Sequence, residues 1–306
     1  MKRYIIIFLI LIVIAEPSFS KIGKAGWTIF TKIRSPKFRA VTVTPVITIK
    51  GDLSGIFYNP AILAKNYYRE IFLLSEIGII NDVFGGVIYG HPLKHSSIAG
   101  GVVYYNAGKI DLTWLDLGSG ELKKETVTAQ QDILGIISYG YRLMENLGLG
   151  ATLKFATSNL FERASATAFA IDFGWLYSPS IIENLTLSGA LQNIGTASKF
   201  VEKSDPLPLT VFLSAGFLLE FGKRGYYYIK PAVDTSYLIV EEQVIPEIGV
   251  EFGKVPFSLN VGYTFIEEAN WHFGVAIYKK RFDIAYGYLP GIFLNPTHRL
   301  SIGYRF

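Results

Sequence analysis

Along most of the chain, apolar residues alternate one for one with small or polar residues. The C-terminal stretch is the plainest case: Leu300, Ile302, Tyr304 and Phe306 alternate with Arg299, Ser301, Gly303 and Arg305. Successive side chains of a β-strand point to opposite faces, so this segment predicts a strand with one apolar, aromatic face and one basic or small face. The pattern recurs upstream. Phe282, Ile284, Tyr286 and Tyr288 oppose Arg281, Asp283, Ala285 and Gly287. Phe257, Leu259, Val261, Tyr263 and Phe265 oppose Ser258, Asn260, Gly262 and Thr264, and Phe169, Ile171, Phe173, Trp175 and Tyr177 oppose Ala170, Asp172 and Gly174.

Turn signals separate these runs, among them Asn81-Asp82, His91-Pro92, Ser178-Pro179, Lys279-Lys280 and Pro290-Gly291. Together they predict about 14 strands, an even count of the kind found in bacterial single-chain barrels. The predicted strands are 68–79, 83–92, 96–114, 124–141, 146–158, 162–177, 184–194, 208–220, 225–238, 243–253, 255–265, 269–279, 281–289 and 297–306. An even count puts both termini on one side, expected to be periplasmic. It makes Lys279–Arg281 and Gly253–Pro256 tight periplasmic turns, and 115–123 and 195–207 the longer extracellular loops.

Alternation alone does not say whether the apolar face looks into a core or out at lipid; composition does. Half of the 306 residues are hydrophobic, only 18% are charged, and aromatics make up 15%. This apolar content is dispersed: after the first residues no run is long enough for a spanning helix. The expected fold is therefore all-β, a transmembrane antiparallel β-barrel of about 14 strands with an N-terminal plug segment. Charge changes little. The formal net charge is +4, too small to argue for a nucleic-acid partner. There is no cysteine, which excludes disulfides and thiolate metal sites.

The N-terminus departs from the pattern. Lys2 and Arg3 precede an apolar Tyr4–Ala15 run, Glu16 and Pro17 break it, and Ser18 and Ser20 supply small residues before a cut after Ser20. This predicts a signal peptide at 1–20. Residues 21–66 are basic at the start, punctuated by proline, and end in Asn59-Pro60-Ala61, where Asn59 suits the cap and Pro60 the first turn of a short helix at Ala61–Lys65. They are expected to form an N-terminal plug or hatch, with the barrel at 67–306.

Four stretches resemble the PorV/PorQ family of outer-membrane proteins, a branch of the FadL-like barrels. They are DLSGIFYNPAILA at Asp52–Ala64, NLGLGATLKFATSNL at Asn146–Leu160 with AFAIDFGWLY at Ala168–Tyr177, LQNIGTASKFVEKSDPLPL at Leu191–Leu209, and the terminal HRLSIGYRF. The resemblance covers nearly the whole chain after residue 20. It implies a plugged barrel of about 14 strands. It also implies one of two roles: FadL-like carriage of hydrophobic molecules across the outer membrane, or a PorV-like part in type IX secretion. In one place the chain departs from the family: Val41–Lys50 has no glycine where the family stretch is Gly-rich.

Candidate sites follow. Asn59, Pro60 and Ala61 are expected to form a ligand-gating hatch or a purely structural plug. Lys154, Asp172, Lys230, Asp234, Glu247, Glu251, Arg281, Asp283 and Arg299 are expected to face the lumen, either as a translocation path or as an internal network of opposite charges. Phe212, Leu218 and Tyr278 fall on the same inner face. Pro231 and Pro246 sit inside neighbouring strands; proline cannot donate to the ladder, so they mark a possible lateral opening or an ordinary bulge. Tyr304 and Phe306 resemble a signal for the barrel-assembly machinery. The four histidines lack metal-ligand spacing, and no nucleophile or phosphate-binding motif is present, so no metal, no cofactor and no enzyme activity are expected. The expected partners are outer-membrane lipid, the barrel-assembly machinery and either a small hydrophobic molecule or a secreted cargo protein.

Overall fold

The computed structural model describes residues 26–32, 53–78, 80–200, 205–222, 227–254, 256–265, 271–291 and 295–306. The expected signal peptide lies outside these residues, as do residues 33–52. Seventeen strands run in chain order: β1 Glu70–Ile77, β2 Val83–Pro92, β3 Ser96–Asn106, β4 Lys109–Leu115, β5 Leu122–Thr128, β6 Gln130–Met144, β7 Leu147–Leu160, β8 Ala164–Tyr177, β9 Leu185–Ala197, β10 Thr210–Phe217, β11 Leu219–Phe221, β12 Tyr227–Leu238, β13 Gln243–Lys254, β14 Phe257–Thr264, β15 Trp271–Lys279, β16 Phe282–Leu289 and β17 Thr297–Arg305. Three short helices precede them: α1 Thr28–Lys32 and two 3-10 helices, η1 Leu53–Phe57 and η2 Pro60–Lys65.

Fourteen of the strands close into one antiparallel barrel. Neighbours pair in sequence, β3 pairs with β6, β10 with β12, and β1 with β17, so among the described residues no edge is left open. Closure is what a membrane demands, since an unpaired backbone edge in hydrocarbon costs several kcal/mol per group. The side-chain period of two sorts the wall. Phe169, Phe173 and Trp175 are exposed on the outer face of β8, while Ala168, Ala170, Asp172 and Gly174 between them are buried. The outward residues are apolar around the circumference, so the wall is a transmembrane one.

Two features differ from the sequence pattern. The predicted strands 96–114 and 124–141 are each broken, because β4 and β5 leave the wall and pair only with each other as a projecting hairpin. The chain departs at Gly108, whose φ of +85 suits glycine, and rejoins at Ala129, which donates to the Gly108 carbonyl at 2.9 Å. The ladder between β12 and β13 is the second. It runs unbroken from Tyr227 opposite Lys254 to Leu238 opposite Gln243, so the lateral opening expected at Pro231 and Pro246 is corrected: these two strands are joined throughout. Both prolines are tolerated because the ladder on their other side stops there. Pro231 falls where β12 passes from β11 to β10 and has no partner opposite it, and Pro246 lies one residue beyond the β13–β14 pairing.

At the end carrying Phe306, 93–95, 145–146 and 280–281 are tight connections and 178–184 is a longer one. The opposite end carries the β4–β5 hairpin and the long 198–209 connection.

Candidate functional site

The barrel interior is occupied by the N-terminal segment. Asn59 is fully buried and holds it in place. Its side-chain oxygen accepts from the Ala61 amide at 2.9 Å, capping η2, while Nδ2 donates to the carbonyls of Trp175 (2.9 Å) and Gly189 (3.1 Å) on the wall. One asparagine thus satisfies its own helix end and bolts that helix to β8 and β9. Pro60 starts η2, where its missing N–H is harmless, and Ala61 is fully buried against the wall.

The wall is shaped to receive this segment. A Cβ at Gly150 would collide with Pro60 and Ala61, one at Gly174 with Asn59, one at Gly140 with Leu63 and Ala64, and one at Gly90 with Leu53. These inward glycines let two backbones approach closely, which no larger residue would allow. Arg142 reinforces the contact by donating to the Ala64 carbonyl at 3.3 Å.

A β-bulge tightens the seal. The register of β8 on β9 shifts between Ile171 and Phe173, and Asn193 has a φ of +63. The bulge turns two consecutive side chains, Gln192 and Asn193, into the lumen. Gln192 donates to the Phe57 and Tyr58 carbonyls of the plug at 2.9 and 3.0 Å. Asn193 accepts from Lys154 Nζ at 2.8 Å, donates its amide to Asp172 at 2.8 Å, and donates Nδ2 to the Pro208 carbonyl at 2.9 Å. Lys154 and Asp172, both buried, form an ion pair at 2.6 Å. The ammonium lies 5.7 Å from the Phe30 ring of α1.

α1 fills the other end of the lumen. Trp27, Ile29 and Phe30 are buried with Val103, Leu134, Ala156 and Leu207, and the Trp27 ring lies 5.5 Å from that of Phe200. Lys32 pairs with Asp82 and, at 3.6 Å, with Glu76, which also pairs with Arg299. Lower down, Tyr58 meets Phe212 at 6.0 Å between ring centres, so the apolar cluster runs from α1 through η1 to the wall.

The remaining candidate charges are placed as follows. Lys230 pairs with Glu251 at 3.4 Å, and Tyr228 donates to the same carboxylate at 2.7 Å. Asp234 and Glu247 are buried on the inner face, and Asp283 pairs with Arg305. Tyr278 faces inward beside Asp283, around a cavity of about 10 Å³. Arg281 is a correction: it is exposed and lines a groove on the outer wall, because it sits in the 280–281 turn, where strand alternation no longer applies. Tyr304 packs on Phe282 and Phe306, with centroids at 4.8 and 5.0 Å. Among the described residues the candidate charges form opposite-sign contacts, Lys154–Asp172, Lys230–Glu251, Arg299–Glu76 and Arg305–Asp283, and Glu76 also meets the plug through Lys32.

Sequence reasoning missed Glu70, Glu76, Asp82, Gln192, Asn193 and Lys32. For Glu70 and Glu76 the signal was present: in β1 they share parity with Phe72 and Leu74, all buried. For Gln192 and Asn193 the only signal was two adjacent amides interrupting an apolar alternation.

No protein-family model matches the sequence, and no protein of curated function matches it. Solved structures do match in three dimensions. The chain is similar to the Pseudomonas putida toluene transporter TodX (10% identity, TM-score 0.59), covering 89% of this chain and 98% of that one. It is similar to the Ralstonia pickettii toluene transporter TbuX at 11% identity and TM-score 0.58, covering 89% and 98% of the two chains. It is similar also to a Pseudomonas aeruginosa FadL homologue at 11% identity and TM-score 0.54, again covering 89% and 98%. At these identities what the chain shares with them is the fold: a closed 14-stranded barrel of the kind built by FadL homologues and toluene transporters.

Proposed function

We propose that this protein carries small hydrophobic or amphipathic molecules across a bacterial outer membrane, with the segment ending in Asn59-Pro60-Ala61 as its hatch. The observation that carries the reading is the interior: the lumen holds an aromatic and aliphatic cluster built jointly by plug and wall, from Trp27, Phe30, Tyr58 and Phe212. A water-filled pore would need a polar lumen. An apolar one, closed by a segment held through a few hydrogen bonds, suits a ligand that replaces plug contacts with its own. The fold shared with toluene transporters supports this. In this reading the tight-turn end with both termini is periplasmic, residues 1–20 are a signal peptide, Tyr304 and Phe306 mark the barrel for assembly, and the protein is not an enzyme.

A second reading rests on a different observation. Leu115, Leu117 and Leu122 are exposed at the tip of the β4–β5 hairpin, far from the lipid-facing wall. An apolar tip projecting from the loop end suits contact with another protein, as a PorV-like secretion component requires.

Planar-bilayer conductance separates the two. The intact chain is expected to be closed, and a variant lacking residues 21–66 to give a steady pore. Tryptophan quenching by a dissolved aromatic hydrocarbon is expected for the intact chain, and to fall in a Trp27→Phe variant, since Trp27 belongs to the lumen cluster. A closed truncation together with absent quenching would remove the carrier reading and leave the hairpin reading in front.

A further inference from the structure

The outer wall carries a groove that transport does not use. It lies where β15, β16 and β17 reach the tight-turn end, has a volume of about 450 Å³, and its floor is Ile277, Phe282, Ile284 and Tyr304. Its upper lip is the basic run Lys279, Lys280 and Arg281. We infer that this groove binds one anionic glycerophospholipid of the surrounding leaflet, with acyl chain on the apolar floor and phosphate between the three cations.

Depth is the first argument. Phe282, Tyr304 and Phe306 form a continuous aromatic cluster of tilted and edge-on rings, with neighbouring centroids 4.8 and 5.0 Å apart. Aromatic girdles mark the level of the membrane–water interface. The basic run begins immediately beyond them, at the depth of phosphate groups.

Charge is the second. All three side chains are exposed and, among the described residues, make no ion pair. The nearest wall carboxylate in sequence, Asp283, points inward and is held by Arg305. Two other basic residues of this rim are engaged: Arg142 donates to the Ala64 carbonyl and lies 4.7 Å from the Tyr67 ring, and Lys254 lies 5.5 Å from the Tyr227 ring. The lip therefore presents three cations that nothing in the protein neutralises, above a floor without acids. Each Lys or Arg near an anionic surface favours binding, and a guanidinium beside two ammonium groups can share one phosphate.

Preorganisation is the third. The Arg305 amide donates to the Arg281 carbonyl at 2.8 Å, fixing the turn against β17, and Lys280 takes a φ of +55 that sets the two-residue connection. The inference needs only that the wall lies in a membrane, so it stands or falls apart from what the barrel carries.

The test is native mass spectrometry of the full chain, released from micelles containing equal phosphatidylglycerol and phosphatidylcholine. Wild type is expected to retain one phosphatidylglycerol, favoured by roughly tenfold or more, with the preference falling as ionic strength rises. The variant Lys279→Gln, Lys280→Asn, Arg281→Gln is expected to lose the preference; asparagine is chosen because it accepts the left-handed backbone. Lys94→Gln, in another turn of the same rim, should keep it. Equal retention of the two lipids by wild type, or a preference insensitive to salt, overturns the inference whether or not the triple variant folds, as does an unchanged preference in a folded triple variant.

Discussion

Strands β6–β8 and strands β12–β16 carry the same outward pattern, yet the plug helix η2 lies chiefly on the inner face of the first. The first group turns Gly140, Gly148, Gly150, Ala156, Ala168, Ala170 and Gly174 into the lumen. The second turns Lys230, Asp234, Glu247, Glu251, Asn260, His272 and Tyr278 inward. Small residues leave room for a second backbone, so η2 lies directly on β6, β7 and β8. Long polar residues take up that room with their own side chains. This barrel fills its interior with plug against one side and with side chains on the other. Fixing the hatch is thus a task of the small-residue side.

The largest expected effect tests the one ion pair on that side. Lys154→Met leaves Asp172 as an unpaired buried charge next to the bulge, and should lower unfolding free energy in detergent by about 3–5 kcal/mol. Adding Asp172→Leu should recover much of this. Lys230→Met, across the barrel, should cost less, since its contact with Glu251 is longer and its side chain less enclosed. Equal losses would erase the distinction between the two sides.

Gly150→Leu comes next. The new side chain must displace Pro60 and Ala61, an overpacking cost of about 1–3 kcal/mol, and should open a conductance the wild type lacks. A closed Gly150→Leu barrel of wild-type stability would show that the glycines do not seat the plug. Asn59→Ala removes two donors to wall carbonyls and the η2 cap, for about 1–3 kcal/mol, and Asn59→Asp should cost more because its carboxylate faces those carbonyls. Urea-unfolding midpoints rank the pair. As the control, Gly135→Ala on the lipid face, where a Cβ makes ordinary contact, should stay within about 0.5 kcal/mol.

The smallest effect belongs to the projecting hairpin. Lys123 holds the Asp116 carboxyl below the usual carboxylate range by hydrogen bonding, aided by the Gly118 amide, and Lys124 and Thr126 do the same for Asp111. A depressed folded-state pKa means that this contribution is full above the ordinary carboxylate pKa and is lost as pH falls through the lowered values. Proteolysis between Leu115 and Leu122 should therefore speed up only at strongly acid pH, while cleavage elsewhere in the barrel is unchanged. Acceleration already near neutral pH would contradict the assignment.

Much of this was legible beforehand. The alternation through Leu300–Phe306 or Phe169–Tyr177 fixes which residues face lipid, because period two admits one assignment of faces once composition requires a membrane wall. The Asn59 cap was equally legible, since capping is a contact between residues two apart. The exit of β4 and β5 was only half legible: Lys109–Leu115 alternates as a wall strand would, Leu122–Thr128 carries four consecutive polar residues, and the pairing of β3 with β6 shows that both project.

The sequence by itself determined the local and periodic properties of this protein: strand, face, turn and cap, each set within a few residues by sterics and hydrogen bonding. Tertiary structure alone decided what depends on residues far apart. It placed Asn59 against Trp175 and Gly189, brought Lys154 to Asp172 and Asn193, put each proline where its ladder stops, and turned Arg281 outward. Those outcomes depend on barrel closure, which fixes the register of every strand at once.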